Sequence, residues 1–207
     1  MSKIQLHFNP LSGHAHRPWV MLKLLKIDFE EIVLNVSKDE QKSPGFLKFN
    51  PLEQIPVLVD GETVLRDSTA ALVHLASKYD PKRQWLPINS EAATEVHRWL
   101  AISTREVFEG PATARMIKIF GVSRDHEEAI KKTDLLLNSL FETRLADHDW
   151  LVGDEPTIAD VSNYGYIAAV TEGDVDLSQY PHTSEWIQRL ENYPNFEPMP
   201  AAAQFIH

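Results

Sequence analysis

The residues able to do chemistry in this chain gather where short apolar runs end. Ser12 and Gly13 follow the run Ile4-Gln5-Leu6-His7-Phe8 and the breaker Asn9-Pro10-Leu11. A serine there can cap a helix, and a glycine lets a ligand or another backbone come close. Asp67 and Ser68 follow a second pair of apolar runs and can cap another helix, whose positive end suits an anion. Gln54, Ile55 and Pro56 lie between these points, and Gln41 and Lys42 sit in a polar stretch before them. Several other chemistries are excluded. The chain has no cysteine, so a thiolate nucleophile, a thiolate metal site and a disulfide framework are ruled out. Its nine histidines show no metal-ligand spacing and no His-Glu-x-x-His pattern, so no metal is expected. No Gly-rich phosphate loop occurs, and no serine has the Gly-x-Ser-x-Gly surroundings of a nucleophile elbow. The net charge of −10, from 20 Lys and Arg against 30 Asp and Glu, argues against nucleic acid as a partner.

Elements must position these residues, and the chain divides in two by their pattern. Residues 4–8 alternate as a strand, and His14 to Ile27 has the apolar density of a largely buried helix, with Pro18 expected in its first turn. Phe29 to Val36 reads as a strand and Ser37 to Gly45 as a loop. Ile55 to Leu65 carries Asp60-Gly61 between two short apolar runs, a strong hairpin signal. A helix from Asp67-Ser68 to about Tyr79 closes this α/β half. Residues 81–90 read as a linker with Pro81 and Pro87. Beyond it the strand pattern stops: helices are expected over Glu91–Gly121, His126–Ala146, Ile158–Thr171 and Thr183–Asn192, with an irregular tail from Pro194. Apolar residues make up 43% of the 207, enough for a real core. The N-terminal stretch Met1 to Phe8 does not read as a signal peptide, and no apolar run is long enough to span a bilayer, so a soluble, cytoplasmic protein is expected.

Four segments, taken in order, resemble one family. They are Asn9-Pro10-Leu11-Ser12-Gly13-His14-Ala15-His16-Arg17, Asn50-Pro51-Leu52-Glu53-Gln54-Ile55-Pro56-Val57-Leu58, Leu65-Arg66-Asp67-Ser68-Thr69-Ala70-Ala71-Leu72 and Trp150-Leu151-Val152-Gly153-Asp154-Glu155-Pro156-Thr157-Ile158-Ala159-Asp160. Together they are similar to the cytosolic glutathione transferases, especially bacterial members with a serine after the first strand. The resemblance implies a thioredoxin-like glutathione-binding domain over residues 1–80, a linker over 81–90, and an all-helical second-substrate domain over 91–207. It implies glutathione as co-substrate and a homodimer in which the region near Arg66–Thr69 lies close to the partner.

In such a protein Ser12 donates to the glutathione sulfur. A free thiol with a pKa near ~8.5 is only about 3% thiolate at pH 7, and lowering that value by about two units requires roughly 2.7 kcal/mol. The alternative reading of Ser12 is a plain helix cap, and His14 is a second candidate near the sulfur. By the same resemblance a cis peptide precedes Pro56, the Ile55 backbone pairs with the cysteinyl unit, and Gln54 is a further contact. Ser68 and its N–H hold the γ-glutamyl carboxylate, Asp67 its amine, and Gln41 or Lys42 the glycyl carboxylate. The second substrate is expected against Leu11, His14, Phe108, Pro111, Arg115 and Met116, although that apolar stripe also suits plain core. Arg105 and Arg115 can steer an acidic substrate or pair with Glu106 and Glu109. Thr157 to Asp160 has the form of a capping box, a structural feature. The implied activity is thiolate attack on a hydrophobic electrophile, by conjugation and also peroxide reduction. The alternative is a non-catalytic regulatory or assembly protein of the same fold. A thiol–disulfide enzyme would need a cysteine in place of Ser12.

Overall fold

The structure, a computed structural model, describes residues 3–205; Met1 and Ser2 of the N-terminal stretch lie outside them. The first half begins with β1 (Ile4–Phe8), α1 (Gly13–Leu24) and β2 (Phe29–Val33). β1 and β2 run parallel, Ile4 opposite Phe29 and Phe8 opposite Val33. A helix must therefore bridge them, since parallel neighbours cannot be joined by a tight turn. β3 (Val57–Asp60) returns antiparallel to β1, and β4 (Thr63–Leu65) pairs antiparallel with β3. The strand order is β2-β1-β3-β4, the mixed sheet of a thioredoxin-like domain. Asp60-Gly61 makes the hairpin turn, with Gly61 at a positive φ of 63°. α3 (Ser68–Tyr79) follows and packs beside α1. Leu6, Val20, Met21, Leu22, Leu58, Leu72 and Leu75 are completely or almost completely buried between sheet and helices.

Two expectations for this half need correction. Pro18 is the sixth residue of α1, not part of its first turn. The helix starts early because Ser12 caps it, so Pro18 falls where a helical N–H would normally be used. Residues 36–47 are not a plain loop: they form 3₁₀ turns at Val36–Lys38 and Glu40–Lys42, then α2 (Pro44–Leu47), capped by Ser43. Phe46 of α2 and the nearby Phe49 pack on the His7 ring, with centroids 5.9 and 4.8 Å away. This tertiary anchoring gives order to a polar segment that has no periodicity of its own.

Residues 80–89 hold no regular element. The Asp80 carboxylate accepts from the N–H groups of Lys82 and Trp85, and the Trp85 carbonyl accepts from Ile158 N–H. The helical half then runs α4 (Ser90–Thr104), α5 (Thr113–Phe120), α6 (His126–Leu136), α7 (Thr143–Leu145), α8 (Ile158–Ala168) and α9 (Pro181–Glu191). The two long helices expected over 91–121 and 126–146 are each interrupted by a π-helical turn, at Phe108–Ala112 and Leu137–Glu142. Pro111 lies in the first of these turns; with no N–H to give, it suits a widened turn. Among the described residues, no helix is long and apolar enough to cross a membrane.

The core of this half centres on Trp99, Phe141 and Trp186, stacked edge to face at 5.2 and 5.6 Å. α8, buried on almost every face, runs through its middle. It starts in a capping box in which Thr157 and Asp160 exchange side-chain and backbone hydrogen bonds. Asp160 also accepts from Leu151 N–H at 3.0 Å and Trp186 Nε1–H at 2.9 Å. One buried carboxylate thus fixes α8, the loop before it and α9.

Candidate functional site

The loop from β1 into α1 is held from several sides. Asn9 gives its side-chain N–H to the Leu34 carbonyl and accepts from Leu11 N–H. Ser12, extended at φ −89°, is the N-cap of α1, and its Oγ accepts from Ala15 N–H at 3.2 Å. Capping uses a lone pair of the hydroxyl and leaves its proton free to donate. The cap and the donor readings of Ser12 are therefore compatible.

The antiparallel pairing of β1 with β3 sets Val57 opposite His7. The preceding Ile55–Pro56 peptide, which is cis, therefore lies beside the end of β1 where the Ser12 loop begins. Among the described residues, the Ile55 N–H and C=O make no hydrogen bond, so both can pair with an extended ligand. Buried Asn50 shapes this loop: its amide donates to the Gln54 carbonyl at 2.8 Å and its Oδ1 accepts from Leu52 N–H. The Gln54 side chain is exposed.

Asp67 caps α3, accepting from Ala70 N–H at 2.7 Å and from the Thr69 hydroxyl at 2.5 Å. Burial alone would raise its carboxyl pKa, but those donors and the Arg17 charge hold it below the usual range. Ser68 is buried, and its Oγ accepts from an Arg17 guanidinium N–H at 3.0 Å. Its own proton, like that of Ser12, stays free. Arg17 also donates to the Ser162 and Ser103 carbonyls, both at 2.8 Å. It thereby ties α1 to α3, α4 and α8 behind the two helix starts. Burial lowers its pKa to about 10, so it is a cation at every working pH.

His14 lies between the halves, its ring 5.7 Å from Phe108 and 5.2 Å from Tyr166. Burial first, then the like charge of Arg17, lowers its pKa to about 3, so it is a neutral imidazole. Tyr166 of α8 lies across Gly13: a Cβ there would come within 2.8 Å of its ring.

The remaining expected residues fall differently. Arg115 is buried rather than open to a substrate, and it pairs with neither Glu106 nor Glu109. Its Nε bonds Glu172 at 2.5 Å and its Nη1 the Leu11 carbonyl at 2.8 Å, so it braces the Ser12 loop. The reason is the π-helical turn, which sets α5 against the 3₁₀ turn Val170–Gly173. Arg105 is exposed and lies 3.9 Å from both Glu106 and Glu109. Pro111 is buried, Leu11, Phe108 and Met116 are partly exposed, and Arg124 reaches over the Phe108 ring at 5.8 Å. Gln41 is buried with its Oε1 unpartnered, and Lys42 is an exposed cation paired with Asp39 at 2.8 Å.

Sequence reasoning missed Arg17, Asn50, Arg124 and Tyr166. Arg17 left a signal, a charge inside an otherwise apolar helical run. Tyr166 left none, since it reads as one more buried residue of α8.

Comparison with known proteins agrees with this geometry. The family model described as "Glutathione S-transferase, N-terminal domain" matches residues 11–78, and "Glutathione S-transferase, C-terminal domain" matches residues 111–194. The chain is 30% identical to a zeta-class glutathione S-transferase of Euphorbia esula, over 94% of this chain and 88% of that one. It is 29% identical to glutathione S-transferase 3 of Zea mays, over 98% and 95% of the two chains. A glutathione transferase homologue from Drosophila mojavensis, solved with bound glutathione, superposes with a TM-score of 0.88 at 28% identity, over 99% and 94%.

Proposed function

The chain belongs to the glutathione S-transferase family, and we propose that it binds glutathione along Ile55, Asp67 and Ser68 and activates its thiol at Ser12. The thiolate then attacks a hydrophobic electrophile held against Leu11, His14, Phe108 and Met116. The observation that carries this reading is the Ser12 hydroxyl at the α1 N-terminus, whose oxygen is used in the cap and whose proton is not. The free N–H of His14 adjoins it, and the helix dipole favours negative charge at this point. The free Ile55 backbone supports strand-like pairing with the cysteinyl unit, and the α3 N-terminus at Ser68 supports capture of the γ-glutamyl carboxylate. Gln41 or Lys42 holds the glycyl carboxylate, and Gln54 adds a contact at the loop.

The same reading makes the protein a cytosolic two-fold homodimer. An open, largely apolar groove of about 440 Å³ between α3 and α4, lined by Val73, His74, Leu100 and Ala101 among others, supports a partner on that face.

Calorimetry with glutathione, together with turnover of an aryl halide by the wild type and Ser12→Ala, tests the proposal. The variant should keep glutathione affinity within a few-fold, raise the bound-thiol pKa and lose about 10–1000-fold in turnover. No binding at millimolar glutathione would instead favour a regulatory or assembly role. Binding with an unchanged thiol pKa and turnover in Ser12→Ala would leave Ser12 as a cap only.

A further inference from the structure

A buried phenol stands at the start of α1, beyond the residues so far assigned to the thiol. Tyr166 comes from α8 in the helical half and is 6% exposed. Its ring occupies the space a side chain at position 13 would need: Cε1 and Cζ would lie 2.8 Å from a Cβ on Gly13. Cζ carries the hydroxyl, so the polar end of the ring is at the helix start. The Ser12 hydroxyl and the His14 backbone N–H lie close to the phenol oxygen. Neither contact closes to a full hydrogen bond, and among the described residues no other hydrogen bond closes on this oxygen. The neighbouring His14 ring is neutral and meets Tyr166 edge to face.

The phenol O–H donates to no group among the described residues, so an arriving ligand can supply its acceptor. The partner must be an acceptor, because the phenol O–H and the His14 N–H both need one and the Ser12 hydroxyl can turn its proton to the same point. Arg17 and Arg115 both favour negative charge at this spot. A small anionic acceptor placed between Ser12, the His14 N–H and Tyr166 would satisfy all three at once. Given the function proposed above, on which this step rests, that acceptor is the sulfur of glutathione.

We propose that Tyr166 is a second catalytic residue, a phenol supplied by the helical half that donates to the glutathione thiolate alongside Ser12. The hydroxyl keeps its proton throughout and only stabilises the anion, as a preorganised donor does. Burial raises the phenol's own pKa, which keeps it a donor over the range in which the thiol ionises. Gly13 is then a requirement of the site as well as of the helix start, since any side chain there would displace the ring.

The test is Tyr166→Phe, which keeps the ring over Gly13 and removes only the O–H. Bound-thiol titration by thiolate ultraviolet absorbance, glutathione affinity by calorimetry, and turnover with an aryl halide are compared with wild type and Ser12→Ala. We expect a raised thiol pKa, a turnover lower by about 10–100-fold, as for a hydrogen bond to a charged acceptor, and affinity within a few-fold. Replacement of Tyr166 by 3-fluorotyrosine, a stronger acid that preserves the packing, should shift the thiol pKa the other way, which keeps the test decisive if the Phe variant folds poorly. An unmoved thiol pKa overturns the inference even if turnover falls, because the phenol would then act on the electrophile. If Ser12→Ala moves the thiol pKa and Tyr166→Phe does not, only this inference fails. If the wild type binds no glutathione, the reading of the function fails with it.

Discussion

Two histidines show how burial decides chemistry at a single residue. His14 and His16 lie two apart on α1, yet neither acts as a base or a cation at neutral pH. Burial lowers His14 to about 3 and His16 to about 4. His16 donates from Nε2 to the Glu197 carbonyl at 2.9 Å and is packed among Trp19, Tyr164 and Phe196. Both values lie below the ~6.5 of an unfolded chain, so the unfolded state takes up protons first as pH falls. The stability these rings contribute is therefore present above about pH 6.5 and is lost as the pH drops toward 4 and 3. Denaturant midpoints measured from pH 7.5 to 4 should fall across this window, and less steeply in a His16→Gln variant. Turnover between pH 5 and 8 should follow the thiol alone, and His14→Gln should leave the apparent pKa of the profile in place. Displacement of that pKa by a unit or more would mean that His14 titrates in the working range.

The elements that place the site were legible wherever local chemistry set them. Asp60-Gly61 marks its hairpin, Asp67 its helix start, and Thr157 to Asp160 its capping box, because each feature is a short-range hydrogen-bonding or backbone preference. The π-helical turns and the order in residues 36–47 were not legible. They depend on packing partners far along the chain, such as His7 against Phe46 and Phe49 or α5 against residues 170–173. The same limit hid the burial of Arg115. The capping box also does more than its local pattern suggests. Asp160 satisfies N–H groups of Thr157, Leu151 and Trp186 from a fully buried position. Asp160→Ala leaves those donors without a partner, so the cost should be about 3–5 kcal/mol, well above the ~1 kcal/mol of an ordinary cap. Thermal unfolding should shift down by roughly 10 °C; a shift of only 1–2 °C would mean that water replaces the carboxylate.

At the scale of the whole molecule, the groove between α3 and α4 sets the expected assembly. Ala101, exposed within it, is well placed for an obstructing side chain. Light scattering should give a dimer for the wild type at micromolar concentration and a shift toward monomer for Ala101→Arg. A wild-type monomer would remove the α3–α4 face as an interface. Within the chain the two halves are joined by contacts that neither could supply alone: Arg17 reaches Ser103 and Ser162, Arg115 holds the Leu11 carbonyl, and the ring of Tyr166 fills the space above Gly13. The last of these bears on how such proteins can recombine. A chimera that takes its first half from a relative with a side chain at position 13, and its second half from this chain, inherits a collision at the junction. Positions 13 and 166 therefore form a single unit of inheritance, and lineages that shuffle the halves must exchange the two together or change their sizes in concert.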